Sequence, residues 1–367
     1  MKPHLLLIGG FLGAGKTTLL AELAQRLQAN DEKVAVITND QGTDLIDTEF
    51  MESKGLLATG ITGGCFCCKF EDLIDTVIRI ARDHRPTWIL AEAVGSCTDL
   101  VATVVRPIKR MHGKDFRVTP ITIAVDPERA DLLLEDRNPF PYEVGYLFAQ
   151  QIQEADIVLL NKSDRVSSEL IEKVEKKLRR INPSARFIRT SATHGFGLDE
   201  WLEYVVHAEE DSGQSWLSEI DYDTYAKAEA YLGWLNTSIK LSGQVPFDQE
   251  NLVKAIGVAM RDEFIQKWFE AAHVKLMGRT DSHVIKGSLT ASDKEWEWVC
   301  QDTTLVKEAT LLINARVLAR PEELSDTVIS VVNDVCEQWN VSVQIDHLEC
   351  FSPARPNPTY RDVVDVV

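Results

Sequence analysis

Long apolar runs are missing from the 367-residue sequence. The run at the amino terminus, Leu5 to Ile8, gives way at once to glycines. It is too short for a secretory leader or for a bilayer span of about 20 residues, so a cytoplasmic protein without a membrane partner is expected. Basic charge is also short. With 39 Lys and Arg against 57 Asp and Glu, the net charge of −18 repels nucleic acid and anionic membranes. A disulfide framework is absent as well: the seven cysteines are an odd count, and three crowd together at Cys65, Cys67 and Cys68. In a chain this size they read as thiols and metal ligands. No internal repeat or low-complexity tract is visible. What is present is a 44% hydrophobic share in a chain too long for one ordinary core, which predicts two domains.

The stretch Gly10-Phe-Leu-Gly-Ala-Gly15-Lys16-Thr17-Thr18 follows that first apolar run and opens an amphipathic run, Leu19 to Leu27. It reads as strand, glycine turn and helix, the context that a G-x-x-x-x-G-K-[ST] loop requires. Glycines let main-chain N–H groups wrap a phosphate, and the helix start adds partial positive charge. The expected phosphate contacts are Gly10, Gly13, Ala14, Gly15, Lys16, Thr17 and Thr18. Lys16 would reach the outer phosphates, and the Thr17 hydroxyl would ligate magnesium.

Up to residue 208, β-branched runs alternate with helical patterns, as in a mostly parallel sheet covered by helices on both faces. The expected strands are Leu5 to Ile8, Val34 to Thr38, Trp88 to Ala91, Val118 to Val125, Ile157 to Leu160 and Ala185 to Arg189. A polar linker is expected at 209–221, beginning Glu209-Glu-Asp-Ser-Gly-Gln-Ser215. A smaller α+β domain follows at 222–352, its order resembling a split βαβ (ferredoxin-like) unit. Its expected elements are a strand 228–241, a helix 248–270, extended pieces 273–277 and 283–290, a strand 309–317, a helix 322–339 and a strand 341–350. The alternation Trp296-Glu297-Trp298 adds another extended piece, with both indoles on one core-packing face. An extended, proline-containing tail is expected at 353–367.

Asn161-Lys162-Ser163-Asp164 comes directly after a strand. The Asp164 carboxylate can accept the N1 and N2 protons of guanine, which adenine lacks. Ser191-Ala192, after the last sheet strand, either supports the base or forms a plain turn. Glu92-Ala-Val-Gly95 ends a buried strand, where Glu92 can orient magnesium-bound water and Gly95 can approach the γ-phosphate. Asp126-Pro127 reads as a helix cap without chemistry. Cys65, Cys67 and Cys68 suit zinc, but on an extended segment they would point both ways, so they converge only through a bend at Gly63-Gly64. Cys97, Cys300, Cys336 and Cys350 read as isolated packing residues, and His273 and His283 as structural. Lying between the Asn39 to Asp47 loop and the Glu92 strand, the cysteine cluster is placed to couple metal state to nucleotide state.

These residues give the chain a specific likeness. It resembles the CobW-like branch of the metallochaperone P-loop GTPases, related to the hydrogenase and urease nickel-insertion GTPases. The likeness rests on Gly10 to Thr17, Asn39-Asp40-Gln41-Gly42 with Ile46-Asp47, Gly64-Cys-Phe-Cys-Cys68, Glu92-x-x-Gly95, Ala155-Asp156 and Asn161 to Asp164. It implies a GTP-hydrolysing metallochaperone whose C-x-C-C thiolates hold zinc or cobalt, with a C-terminal module that meets partners. Two motifs depart from the family pattern. Asn39-Asp40-Gln41-Gly42 stands where the family usually has Asn-Glu-Phe-Gly, leaving Asp40 as a candidate metal ligand. Ala93 and Val94 stand where it prefers small hydroxyl residues or proline. No histidine-rich tract is present.

The expected activity is hydrolysis of GTP to GDP and phosphate with Lys16, Thr17 and Glu92 as the catalytic set. Turnover would be slow without zinc, cobalt or a client metalloenzyme, the protein being a monomer or homodimer. Asp40 and Gln41 are candidates for aiming the attacking water by location alone. Two alternatives stand beside this reading: a GTP-driven activator of a corrinoid (cobalamin)-dependent protein with structural cysteines, and a non-catalytic GTP-bound metal sensor.

Overall fold

The computed structural model describes residues 2–42, 46–135, 138–208, 219–280, 283–300 and 305–362. The chain groups into two compact units. The first takes Met1–Gln41, Asp47–Ala228 and Arg355–Val367, and the second takes Gly42–Ile46 and Glu229–Ala354. Most of the expected linker, at 209–218, lies outside the described residues.

In the first unit the elements are β1 (His4–Gly9), α1 (Lys16–Ala29), β2 (Val34–Asn39), α2 (Ile46–Ser53), β3 (Leu57–Ile61), α3 (Phe70–His84) and β4 (Trp88–Glu92). A single π-helical turn at Val101–Val105 then leads into α4 (Arg106–His112), β5 (Arg117–Val118), β6 (Thr122–Val125), α5 (Pro127–Leu133) and α6 (Tyr142–Gln153). The unit continues with β7 (Ile157–Leu160), α7 (Ser168–Ile181), β8 (Arg186–Arg189), α8 (Leu198–His207) and α9 (Tyr222–Ala230). The sheet order is β3-β2-β4-β1-β6-β7-β8, with β5 beside β1. Its pairings are parallel. Strands β2, β4 and β7 are buried along their whole length, as parallel strands must be when helices cover both faces.

Parallel strands send all their carboxyl ends to one edge of the sheet, where ligands of such folds gather. The loops after β1, β3, β4, β7 and β8 carry the glycine stretch, the cysteines, Gly95, Asn161 to Asp164, and Ser191-Ala192 respectively, and Glu92 is the last residue of β4. Two expectations needed correction in this unit. The run Val118 to Val125 is not one strand, because Pro120 has no N–H for a ladder and splits it into β5 and β6. The Ile121 N–H just beyond it donates to Asp156 Oδ2 at 2.9 Å. Strand β3 went unforeseen: Leu57-Ala-Thr-Gly-Ile61 lies at the sheet edge, half exposed, and its Ala and Gly are poor strand formers.

The second unit comprises β9 (Gly233–Asp248), α10 (Gln249–Gln266), β10 (Glu270–Arg279), β11 (Val284–Leu289), β12 (Glu297–Cys300), β13 (Leu305–Leu318), α11 (Pro321–Gln338) and β14 (Val341–Phe351). Its antiparallel sheet runs β12-β11-β10-β13-β9-β14. The segment β10-β13-β9-β14 has the ferredoxin-like order, and β11 and β12 extend it at the β10 edge. The core includes Leu235, Ile256, Ile313 and Val332. Trp296 and Trp298 do share a face, with ring centroids 5.2 Å apart. The strand expected at 228–241 instead begins at Gly233 and runs to Asp248. The residues before it are helical because Asp221 caps α9, its Oδ1 accepting from the Asp223 and Thr224 N–H groups at 2.9 and 3.3 Å.

Candidate functional site

The turn between β1 and α1 is possible only with glycine. Gly10 has φ 126°, and a Cβ there would meet the Ala124 carbonyl oxygen at 2.2 Å. Gly15, at φ 87°, would put a Cβ 2.5 Å from Asn161 Nδ2. Helix α1 starts at Lys16, whose buried ammonium donates to the Gly10 carbonyl at 2.8 Å. Ile8 pairs with Glu92 in the sheet register, which brings the strand ends together, and the Thr17 hydroxyl donates to Glu92 Oε1 at 3.1 Å. Lys16, Thr17 and Glu92 therefore form one buried cluster around the start of the helix.

Asn161 ties three loops together. Its Nδ2 donates to the Ala14 carbonyl at 2.9 Å, and its Oδ1 accepts from the Ala192 N–H at 3.1 Å. Lys162 adopts a left-handed conformation at φ 57° and pairs with Asp126 at 3.1 Å. Asp126 caps α5 through the N–H groups of Glu128 and Arg129. Asp164 lies 3.4 Å from His194 Nδ1. Partial burial works against its charge, but the Ser191 hydroxyl, a main-chain N–H, His194 and Arg165 hold the carboxyl below the ordinary carboxylate range. It is thus ionised at neutral pH and presents two acceptor oxygens.

The three thiols converge, but the bend that brings them together is the turn within Cys65 to Lys69, downstream of the glycines where it was expected. Gly63 and Gly64 have φ 74° and 157°, and the chain then reverses, with the Cys68 and Lys69 N–H groups donating to the Cys65 carbonyl. Cys65 Sγ lies 2.7 Å from Cys67 Sγ and 3.5 Å from Cys68 Sγ, while Cys67 and Cys68 are 3.9 Å apart. Asn39 clamps this turn: Nδ2 donates to the Gly64 carbonyl at 2.7 Å and Oδ1 accepts from the Phe66 N–H at 2.9 Å. The thiols of Cys65, Cys68 and Cys97, together with burial, push the Cys67 thiol far up. A cation bound there would have to displace these protons and hold the sulfurs as thiolates, and the donor type suits zinc.

Four residues differ from expectation or were missed. Asp40 is not among the donors that group within 4.8 Å, which are Cys65, Cys67 and Cys68 among the described residues. Asn39 matters by its clamp. Cys97 is not isolated: its sulfur lies 3.8 Å from Cys67 Sγ. The Asn357 N–H, in the carboxyl-terminal tail, donates to Cys68 Sγ at 3.3 Å. A signal for Cys97 existed in its position on the loop that Glu92 and Gly95 open. Nothing in the sequence pointed to Asn357.

Residues 4–189 match the CobW/HypB/UreG nucleotide-binding domain. The chain belongs to this family. It is 27% identical over 214 residues to the Schizosaccharomyces pombe protein named zinc-regulated GTPase metalloprotein activator 1, covering 56% of this chain and 50% of that one. It is 29% identical over 192 residues to zinc chaperone CobW of a Sinorhizobium species, covering 47% and 54%. It is 32% identical over 169 residues to zinc chaperone YeiR of Escherichia coli K12, covering 44% and 47%. The chain thus spans about half the length of the curated relatives it matches. Among the described residues no helix is long and apolar enough to cross a membrane.

This member of the CobW/HypB/UreG family carries two buried carboxyls, Asp99 on the loop after β4 and Glu154 at the end of α6. Glu154 accepts from the Thr98 hydroxyl at 3.0 Å and the Val101 N–H at 3.1 Å. Asp99, at φ 62°, accepts from the Tyr222 hydroxyl and Arg361 Nε, each at 2.7 Å. Burial first, and then the Asp99 charge, raise Glu154 from 4.5 to about 8. Between those values the folded protein holds a proton that the unfolded chain has released. Stability should therefore fall as pH rises through this window, by up to roughly 1.4 kcal/mol per pH unit, and level off above it. Glu154→Gln removes the titration while its amide oxygen accepts from the Val101 N–H and its NH2 donates to the Thr98 hydroxyl, which reverses its role. Thermal midpoints measured from pH 5 to 9 should show the variant gaining on the parent as pH rises, whereas parallel curves would contradict the assignment.

Proposed function

We propose that this chain is a GTPase metallochaperone, which binds and hydrolyses GTP and couples nucleotide state to the handling of zinc for a client metalloprotein. The observation that carries this is a buried Lys16, Thr17 and Glu92 cluster, on the first turn of α1 and the end of β4, at the same carboxyl edge of one sheet as the three-thiol turn after β3. The relatives named zinc chaperone or zinc-regulated GTPase support the same reading. Lys16 and the main-chain N–H groups of Gly13 to Thr18 would hold the phosphates. Thr17 would ligate magnesium and Glu92 would order its water, while Gly95 would meet the γ-phosphate. Magnesium supplies charge neutralisation on the β- and γ-phosphate oxygens. Asp164 selects guanine, and Asn161 fixes the Ser191-Ala192 loop against the phosphate loop. Zinc, the cargo, sits on Cys65, Cys67 and Cys68; cobalt suits the same thiolates.

Phosphate release from GTP in magnesium buffer tests the proposal. A slow basal rate, increased by stoichiometric zinc, is expected, and the zinc response should disappear when Cys67 and Cys68 are both replaced by Ser. No release of phosphate with or without zinc would overturn it.

A further inference from the structure

We infer that Cys97 is a fourth sulfur ligand, so that the metal is held by thiolates from two loops: Cys65, Cys67 and Cys68 after β3, and Cys97 after β4. This rests on the metal-binding reading above and specifies its ligand set.

Three of the sulfur-to-sulfur distances suit it. With zinc to sulfur at about 2.3 Å in a tetrahedron, neighbouring sulfurs stand about 3.8 Å apart. Cys67 to Cys97 is 3.8 Å, Cys67 to Cys68 is 3.9 Å and Cys65 to Cys68 is 3.5 Å. Cys65 to Cys67, at 2.7 Å, must widen, and Cys97, which does not lie within 4.8 Å of all three other thiols, must close on the remaining pair as the ion binds. No His, Asp or Glu among the described residues joins the thiols. Cys65, Cys67 and Cys97 are all buried, so on their side of the ion, away from the half-exposed Cys68, a position completed by water would have to be hydrated inside the core. A fourth thiolate needs no such water.

Cys97 is also held in place. Gln151 Nε2, from α6, donates to the Cys97 carbonyl at 2.9 Å and to the Gly95 carbonyl at 3.0 Å, and the Cys97 N–H donates to the Val94 carbonyl at 2.9 Å. At its other end this loop lies against the phosphate loop: a Cβ on Gly95 would be 2.7 Å from Leu12 Cδ2 and 3.1 Å from Leu12 Cα. A γ-phosphate that draws Gly95 toward it therefore moves the backbone carrying Cys97. The number of thiolates on the ion then becomes a function of the nucleotide. Cys68, the half-exposed thiol, is the ligand that an incoming client thiolate would reach first.

X-ray absorption at the zinc edge of the wild-type, zinc-loaded chain should give four sulfur neighbours. Three sulfurs with one nitrogen or oxygen would overturn the inference. Substitution with Co(II) provides a second readout. In Cys97→Ser the sulfur-to-cobalt charge-transfer absorption should fall by about one quarter, and zinc affinity by chelator competition should fall about tenfold or more. Unchanged absorption and affinity would also overturn the inference, and if the variant does not fold, the wild-type absorption experiment decides alone. Wild-type protein that takes up neither zinc nor cobalt would refute both this inference and the metal-binding reading, whereas three-sulfur coordination refutes this inference alone.

Discussion

Replacing Asp164 by Asn is expected to lower GTP affinity by roughly 10²- to 10³-fold while raising the affinity for xanthosine triphosphate. The ionised carboxylate offers acceptors to the two donors on the guanine edge, N1–H and the 2-amino group. Asn offers one acceptor and one donor, so its amide N–H₂ would face the guanine amino group. Xanthine has N1–H beside a 2-oxo group, the pattern that Asn complements. Because the Asp164 carboxyl is held below the ordinary carboxylate range, wild-type GTP binding should not weaken between pH 8 and pH 5 through this group. Affinity would be lost only as pH falls through that depressed value. Calorimetric titration of both proteins with both nucleotides checks the reversal. Equal GTP affinities would show that the loop after β7 does not read the base.

Much of this site was legible in the sequence because each of its parts has a local cause. The phosphate loop needs glycine at φ values that other residues avoid, and Gly10 and Gly15 stand where the backbone requires them. The parallel strands announced themselves as short apolar runs because both their faces are covered. What could not be read depends on contacts between residues far apart in sequence. Cys97 looked solitary along the chain, and only the pairing of β4 with β2, and of β2 with β3, brings its loop beside the C-x-C-C turn. The Asn357 N–H reaches Cys68 across 289 positions of sequence, from a stretch whose prolines specify extension and nothing about destination. Helix α9 was hidden by a β-branched and aromatic composition just downstream, and its cap at Asp221 was the overlooked signal. The strand split at Pro120, like the cap at Asp221, has a purely local cause.

The phosphate loop and the thiol cluster meet through the loop that runs from Glu92 to Cys97. Glu92 accepts from Thr17, Gly95 has no room for a side chain against Leu12, and Cys97 lies 3.8 Å from Cys67. A nucleotide that biases this loop must change zinc affinity, and zinc must change the preference for GTP over GDP by the same factor. Coupling of this kind ordinarily amounts to about 1–3 kcal/mol, or about 5- to 150-fold. The deciding measurement is zinc titration, by chelator competition in magnesium buffer, of the same protein saturated with GDP and with a nonhydrolysable GTP analogue. The account predicts zinc dissociation constants that differ by about fivefold or more between the two states. Identical constants would contradict it.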